Sequence, residues 1–230
     1  DNVEHFAWQT SWGVSWRLIG AMIMTHGDDQ GLVLPPKVAP MQVVIVPIYK
    51  NDEGKDKVLP KVVEIKKILE AKGIRVHVDD RNELSPGYKF NDWELKGVPL
   101  RIEIGPKDLE KESVVVAKRH NHEKSSLGFS EIEKVSTILD EIQKDMLDAA
   151  REIAKENTKS ISDYTEFKSK IEEGGFFSAP WCGKPECEEK IKEETGADIR
   201  VIPFGSENTN EKCMYCQEQS NSIPVFARGY

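Results

Sequence analysis

Residues 41–80 read MQVVIVPIYKNDEGKDKVLPKVVEIKKILEAKGIRVHVDD, and this stretch decides the fold class. The run 41–47 is short, β-branched and closed by a proline, which is typical of a buried strand. Residues 55–73 predict a helix that ends at Gly73. Its apolar residues at helical spacing are Val58, Leu59, Val62, Ile65, Ile68 and Leu69. Residues 74–80 alternate as a second strand does, so the stretch predicts a strand–helix–strand unit.

The same alternation continues to residue 120. Residues 85–97 predict a turn, a short helix and a glycine stop, and two further strands follow at 98–105 and 113–120. This order predicts an α/β layer with a mostly parallel sheet and helices packed on it.

Ser130, with Glu133 three residues later, forms the pattern of a capping box for a long amphipathic helix that runs to about residue 157.

A second and smaller α+β unit is predicted after that helix. It contains a helix over 164–175, a turn with two cysteines, a further helix and a strand over 198–204. A second cysteine turn and a last strand over 222–230 complete it. At 230 residues the chain has room for such a division into small cores.

The charge is distributed unevenly along the chain. The formal net charge is −8, which argues against a generally basic nucleic-acid binder. Residues 41–107, however, carry 13 basic and 11 acidic side chains, and this is the block where we expect a polyanion to bind. No apolar run approaches the roughly 20 residues that span a bilayer, so we expect an intracellular protein with no membrane partner.

All four cysteines lie near the end of the chain, as the pairs Cys182/Cys187 and Cys213/Cys216. Two close pairs of this kind suit a tetrahedral zinc site, because each tight turn supplies two sulfurs. Two disulfides or free structural thiols are the alternatives. A site with four protein ligands has no open position, so the metal would be structural.

The stretch Thr10–Pro36, TSWGVSWRLIGAMIMTHGDDQGLVLPP, has a lone arginine in an apolar run. A strand over 6–13 and a helix that begins near Ser15 would place Arg17 in the first turn of that helix, facing a cleft. A guanidinium there can stack on a base and face phosphates. A paired helix residue is the alternative for Arg17, and we interpret Asp28 and Asp29 as an acidic turn.

The order of these features resembles the C-terminal part of prolyl-tRNA synthetases of the archaeal and eukaryotic-like type. The resemblance is carried by WQTSWGVSWRLIGAMIMTHGDDQGLVLPP, SPGYKFNDWELKGVPLRIEIGPKDL and PWCGKPECEEKIKEETGADIRVIPF, and it covers essentially the whole chain. It implies a remnant of a class II catalytic domain at 1–40, a class IIa anticodon-binding domain at 41–145 and a zinc-binding domain at 146–230. The anticodon-binding domain is implied to be a mixed sheet with flanking helices.

The resemblance also implies a reaction and its participants. Proline is activated with ATP to prolyl-adenylate and transferred to tRNA(Pro) by a cytoplasmic homodimer that uses ATP, Mg²⁺ and structural Zn²⁺. The stretch Thr10–Pro36 resembles motif 3, in which Arg17 would contact ATP as the catalytic arginine and Ser15 would lie against the nucleotide. Four residues would line the floor of the active site: Trp8, Gln9, Ser11 and Gly13. The segments that resemble motifs 1 and 2 in this class are absent, so the chain is expected to be inactive alone.

Residues 79–101 supply closely spaced groups that suit the reading of an anticodon. A proline anticodon presents two guanines, whose O6/N7 edge can meet an arginine while a carboxylate can accept from N1 and N2. The candidates are Arg81, Lys89, Phe90, Glu94, Lys96 and Arg101. Lys89 is expected to contact phosphate. The alternative is that Phe90 and Trp93 are core residues and that half of the charges are solvated.

Two other classes of function stay open on the sequence alone. One is a free-standing tRNA-binding or regulatory paralogue without catalysis. The other is a zinc-ribbon interaction protein unrelated to tRNA, which fits the cysteines but leaves residues 8–36 unexplained.

Overall fold

The computed structural model describes residues 7, 9–207 and 210–229. The chain divides into two compact units, residues 1–148 and residues 149–230. The division into three domains stays a prediction. None of the described helices is both long and apolar enough to cross a membrane.

The first unit is built on a five-stranded sheet with the order β2-β1-β3-β4-β5. Its strands are β1 (Val43–Pro47), β2 (Val76–Val78), β3 (Leu100–Ile104), β4 (Ser113–Lys118) and β5 (Lys124–Gly128). β1 pairs in parallel with β2 and β3, whereas the β3–β4 and β4–β5 pairs are antiparallel. The sheet is therefore mixed. The expectation of a mostly parallel sheet, which was drawn from the alternation of helices and strands, is wrong. The connection from β3 to β4 is too short for a parallel crossover, which takes a dozen residues or more.

The β1 strand explains why the opening stretch reads as a continuous apolar run. Val43 and Ile45 pack in one core cluster, while Val44 and Val46 pack in another with Trp93 and other residues. Since successive side chains point to opposite faces of a strand, both faces of this sheet are covered.

Three helices of the first unit cover those faces: α2 (Asp52–Ala71), α3 (Pro86–Leu95) and α5 (Val135–Glu156), with the short α4 (Pro106–Glu110) between β3 and β4. The Asn51 side chain accepts from the Gly54 amide at the start of α2, and the Ser85 side chain accepts from the Tyr88 amide at the start of α3. Such caps satisfy donors that the first helical turn leaves unpaired.

The predicted capping box at Ser130 is wrong. Residues Phe129–Lys134 form a 3₁₀ turn without a side-chain cap, and α5 begins only at Val135. The Phe129 amide is held by the Glu112 carbonyl at 2.8 Å, and Ile132 is buried. The buried Ile132 therefore lies in the 3₁₀ turn that precedes the helix. Ser130 is exposed on the same turn.

The segment before β1 contains the helix α1 (Arg17–His26), none of whose residues is buried. The strand expected over 6–13 is not present in its described residues, 7 and 9–13. A strand needs a hydrogen-bonded neighbour, and no described residue pairs with that stretch.

The second unit is a four-stranded sheet with the order β6-β7-β9-β8. Its strands are β6 (Thr158–Ser160), β7 (Phe176–Ser178), β8 (Ala197–Val201) and β9 (Val225–Arg228), and its helices are α6 (Tyr164–Ile171) and α7 (Pro185–Thr195). Phe167 and Phe226 are fully buried at the centre of its core. The α+β character expected from the sequence is confirmed.

Candidate nucleic-acid interface and metal centre

A cleft of about 70 Å³ opens between α3 and the sheet of the first unit. It lies over β1, β3 and the hairpin that joins β4 to β5. Its lining residues are Val44, Trp93, Glu94, Val98, Arg101, Ala117, Lys118, Arg119, His122 and Lys124. Among the lining residues are five basic side chains and one carboxylate, that of Glu94.

Arg101 and Phe90 form the centre of the site. The Arg101 guanidinium lies 4.3 Å from the centre of the Phe90 ring. Its Nη1 donates to the Glu94 carboxylate at 2.8 Å, and its Nε and Nη2 donate to Glu103 at 3.1 and 3.0 Å. Lys124 also donates to Glu103, at 3.1 Å. Arg101 is therefore held in one orientation beside a half-buried aromatic ring.

Two other basic candidates, Arg81 and Lys89, gather around a different acidic residue, Asp79, whereas Lys96 pairs with Asp92 at 3.0 Å. The buried Asp79 accepts from Arg81 at 2.7 and 2.8 Å and from the Trp93 indole N–H at 2.8 Å. Burial by itself would raise the pKa of Asp79, but the hydrogen bonds from Arg81 and Trp93 outweigh it and hold the pKa well below its usual range. Lys96 lies over the Trp93 ring at 4.5 Å and remains largely exposed.

Lys89 lies in the interior, only 4% exposed. Its ammonium donates to the Asp79 carbonyl at 3.0 Å. This position contradicts the expected contact between Lys89 and an RNA phosphate. Trp93 is also buried, as the alternative interpretation of α3 held, whereas Phe90 is half-buried at the surface.

The sequence interpretation missed the residues that the hairpin brings to the cleft. Arg119 and His122 come from the turn between β4 and β5, and Lys124 is the first residue of β5. Lys124 donates to Glu103 of β3. The signal was present as the cluster KRHNHEK at 118–124, which overlaps the end of the strand predicted over 113–120. It was missed because β5 itself was not predicted: only Leu127 of its five residues is buried.

The predicted active-site residues of the first segment are not brought into a cleft of the described chain. Arg17 lies in the first turn of α1, and Gln9, Ser11, Gly13 and Ser15 precede it; all five are exposed. Trp8 lies outside the described residues. Their roles remain predictions.

The four cysteines meet in the second unit. Their Sγ atoms all lie within 4.8 Å of one another, and three of the four residues are buried. Cys182 lies in the loop after β7, and Cys187 lies in the first turn of α7. Gly183 has a φ of +83°, a conformation that favours glycine in this turn.

A second tight turn supplies the other two sulfurs. The Gln217 amide donates to the Cys213 carbonyl at 3.0 Å, and the Cys213 amide donates to the Glu218 carbonyl at 2.8 Å. The four cysteines are free thiols, and burial raises the pKa of the Cys182 and Cys187 thiols. Four clustered sulfurs of this kind could hold a metal ion that favours thiolate ligands.

Two family models match the chain. Residues 42–139 match the anticodon-binding domain, and residues 164–230 match the C-terminal domain of prolyl-tRNA synthetase. The first match covers the sheet and the cleft of the first unit. The second covers the cysteine cluster.

Curated relatives agree with these matches. A proline–tRNA ligase of Cenarchaeum symbiosum is 53% identical over 232 aligned residues, which cover 100% of this chain and 48% of the relative. Proline–tRNA ligases of Acetoanaerobium sticklandii and Porphyromonas gingivalis are 52% and 48% identical, over 96% and 100% of this chain and 46% and 47% of each relative. The chain spans about half the length of the curated relatives it matches.

The two domain matches and the identity along the chain lead to one conclusion. The chain belongs to the prolyl-tRNA synthetase family and contains its anticodon-binding domain and its C-terminal domain.

Proposed function

We propose that the chain is the tRNA-reading part of a proline–tRNA ligase, in which the cleft between α3 and the sheet binds the anticodon of tRNA(Pro). The observation that carries this proposal is the Phe90–Arg101–Glu94 arrangement, which lies inside the segment that matches the anticodon-binding domain. The parent enzyme would form prolyl-adenylate from proline and ATP with Mg²⁺ and transfer the prolyl group to tRNA(Pro). It would act in the cytoplasm as a homodimer.

The chemistry of the cleft suits a splayed guanine. Single-stranded bases are recognised by stacking on aromatic or guanidinium planes and by hydrogen bonds to their edges. Phe90 provides a half-buried aromatic plane. Glu94 offers a carboxylate that can accept from guanine N1 and N2. Arg101 is buried and its donors are engaged by Glu94 and Glu103, so it would orient Glu94 rather than donate to the base.

The exposed basic side chains around the cleft would contact the RNA backbone. Lys124 and His122 are exposed at the hairpin, and Lys96 is exposed at the end of α3. Arg81 is half-exposed, and its guanidinium already pairs with Asp79 and Asp92. It would therefore add to the positive potential but has no free pair of N–H donors for a base edge. The buried Lys89 has no such role.

We infer that zinc is the metal of the cysteine cluster. The donor set is four sulfurs from two tight turns, and sulfurs bound to one zinc at about 2.3 Å lie roughly 3.8 Å apart, a spacing that the cluster can adopt. Cys182, Cys187, Cys213 and Cys216 would hold it. The ion would cross-link the two turns and take no part in the reaction.

Replacing an anticodon guanine should weaken binding of the chain to a tRNA(Pro) anticodon stem-loop. We expect a loss of about 1–3 kcal/mol for a guanine that pairs with Glu94. Fluorescence titration at low salt measures it. Arg101→Ala and Glu94→Ala should weaken cognate binding more than non-cognate binding, whereas Lys107→Ala, on α4 and outside the cleft lining, is the matched basic control.

Two observations would oppose this assignment. One is equal affinity at low salt for tRNA(Pro) and for a tRNA with an unrelated anticodon. The other is binding that does not weaken as salt is raised, because phosphate contacts release counterions and make affinity fall with salt.

The chain by itself should not form prolyl-adenylate. Adenylation requires ATP and proline to be held together in a fixed geometry. Arg17 would orient ATP, but the helix that carries it buries none of its residues in this structure. We expect proline-dependent ATP–pyrophosphate exchange to stay at the level measured without proline, with a full-length proline–tRNA ligase as the positive control. Exchange clearly above that level would contradict the proposal.

A further inference from the structure

The end of α3 is tied to a remote acidic residue through Arg119. Arg119 follows β4, and its side chain is only 2% exposed. Its Nη1 and Nη2 donate to the two carboxylate oxygens of Asp28, each at 2.6 Å, and its Nε donates to the backbone carbonyl of Glu94 at 3.0 Å. A bidentate pair of this kind, between a buried guanidinium and an exposed carboxylate, fixes the direction of the guanidinium.

The segment after Asp28 holds the same end of α3 by its backbone. The Leu32 amide donates to the Leu95 carbonyl at 3.1 Å, and the Leu34 amide donates to the Gly97 carbonyl at 3.2 Å. A Cβ built on Gly97 would lie 2.6 Å from Leu32. The approach is close enough that glycine is required there, so the end of α3 has little freedom to shift.

Glu94 is the residue on which these contacts converge. Its carbonyl accepts from Arg119, and its carboxylate accepts from Arg101 across the cleft at 2.8 Å. His122 lies on the other side of Asp28, with its Nε2 at 3.6 Å from the carboxylate. Arg119 therefore holds the backbone of the residue whose carboxylate lies at the cleft.

We propose that Asp28 and Arg119 form a positioning pair that holds Glu94 in the orientation the cleft needs to distinguish guanine from adenine. This inference rests on the proposed anticodon binding. Arg119 itself contributes no direct base contact, because its side chain is buried and its donors are engaged by Asp28 and Glu94. Asp28 acts from outside the cleft lining.

The test compares discrimination with stability. Dissociation constants of the 230-residue chain are measured for the tRNA(Pro) anticodon stem-loop and for the same loop with one guanine replaced by adenine, together with thermal unfolding. The variants are Asp28→Asn and Arg119→Lys. Asp28→Asn keeps the side-chain volume, whereas Arg119→Lys keeps the positive charge but removes the two parallel N–H donors of the guanidinium. Glu133→Gln is the control, since it breaks an exposed ion pair with Lys72 in the same unit.

We expect both variants to lower the guanine-to-adenine affinity ratio by about fivefold or more, the size of one weakened side-chain contact to a base. Glu133→Gln should leave the ratio unchanged. A purely structural role would lower the fraction of binding-competent protein and leave the ratio as it is. If the wild-type chain prefers the guanine loop and both variants keep the same affinity ratio, the positioning pair is overturned and the anticodon proposal stands. If the wild-type chain binds the two loops equally, both the anticodon proposal and the positioning pair are overturned.

Discussion

Replacing Cys213 with serine should unfold the second unit and abolish binding of its metal. Metal analysis of the wild-type chain under reducing conditions should find one zinc per chain. Binding of structural zinc contributes about 10–16 kcal/mol in zinc-finger peptides, so loss of one ligand should cost the unit several kcal/mol. Cys213 is fully buried within the cluster, which leaves the serine hydroxyl without solvent.

The measurement is hydrogen exchange followed by mass spectrometry. Protection should be lost over the helices and strands of residues 164–228, while the strands between residues 43 and 104 should keep theirs, because the cysteine turns belong to the second unit. Met214→Leu is the matched control: Met214 lies between the two cysteines of the turn and is buried in the apolar core, and this change conserves its volume. Absence of metal, or a chelator that leaves the melting temperature unchanged, would contradict the zinc site.

Replacing Asp79 with alanine should destabilise the first unit by about 3–5 kcal/mol, the cost of removing one partner from a buried ion pair. The change would leave the interior Lys89 ammonium and the Trp93 indole N–H without the carboxylate they now face. Urea unfolding measures the difference. Asp80→Ala is the matched control, because the neighbouring Asp80 is exposed and its loss should stay within about 0.5 kcal/mol. A cost for Asp79→Ala as small as that of the control would contradict this account.

The same carboxylate should make stability depend on pH in the acid range. Because the folded-state pKa of Asp79 lies well below its usual range, its contribution is present above the unfolded-state pKa of about 3.9 and is lost as the pH falls through the folded-state value. The difference in unfolding free energy between the wild-type chain and Asp79→Asn should therefore shrink as the pH is lowered below about 4. A difference that stays constant from pH 7 to pH 3 would show that the carboxylate charge is not responsible.

Features that depend on neighbours along the chain were predictable from the sequence. The apolar run at 43–46 predicted a buried strand, and the structure buries both of its faces. The pairs Cys182/Cys187 and Cys213/Cys216 predicted two turns that meet, and their sulfurs do meet. Periodicity and short spacings record local burial and local turns, so these inferences needed no knowledge of the tertiary arrangement.

Features that depend on distant partners were decided only by the tertiary structure. Lys89 and Arg101 are both basic and both buried, yet Lys89 lies beside Asp79, whereas Arg101 lines the cleft between Glu94 and Glu103. The strand β5 was missed because its side chains are mostly exposed, and its position follows from backbone pairing with β4. Arg119 and Asp28 are 91 residues apart, and no local pattern joins them. The partner of a charged side chain is set by which elements pack together, and this is information that the order of residues within one element does not contain.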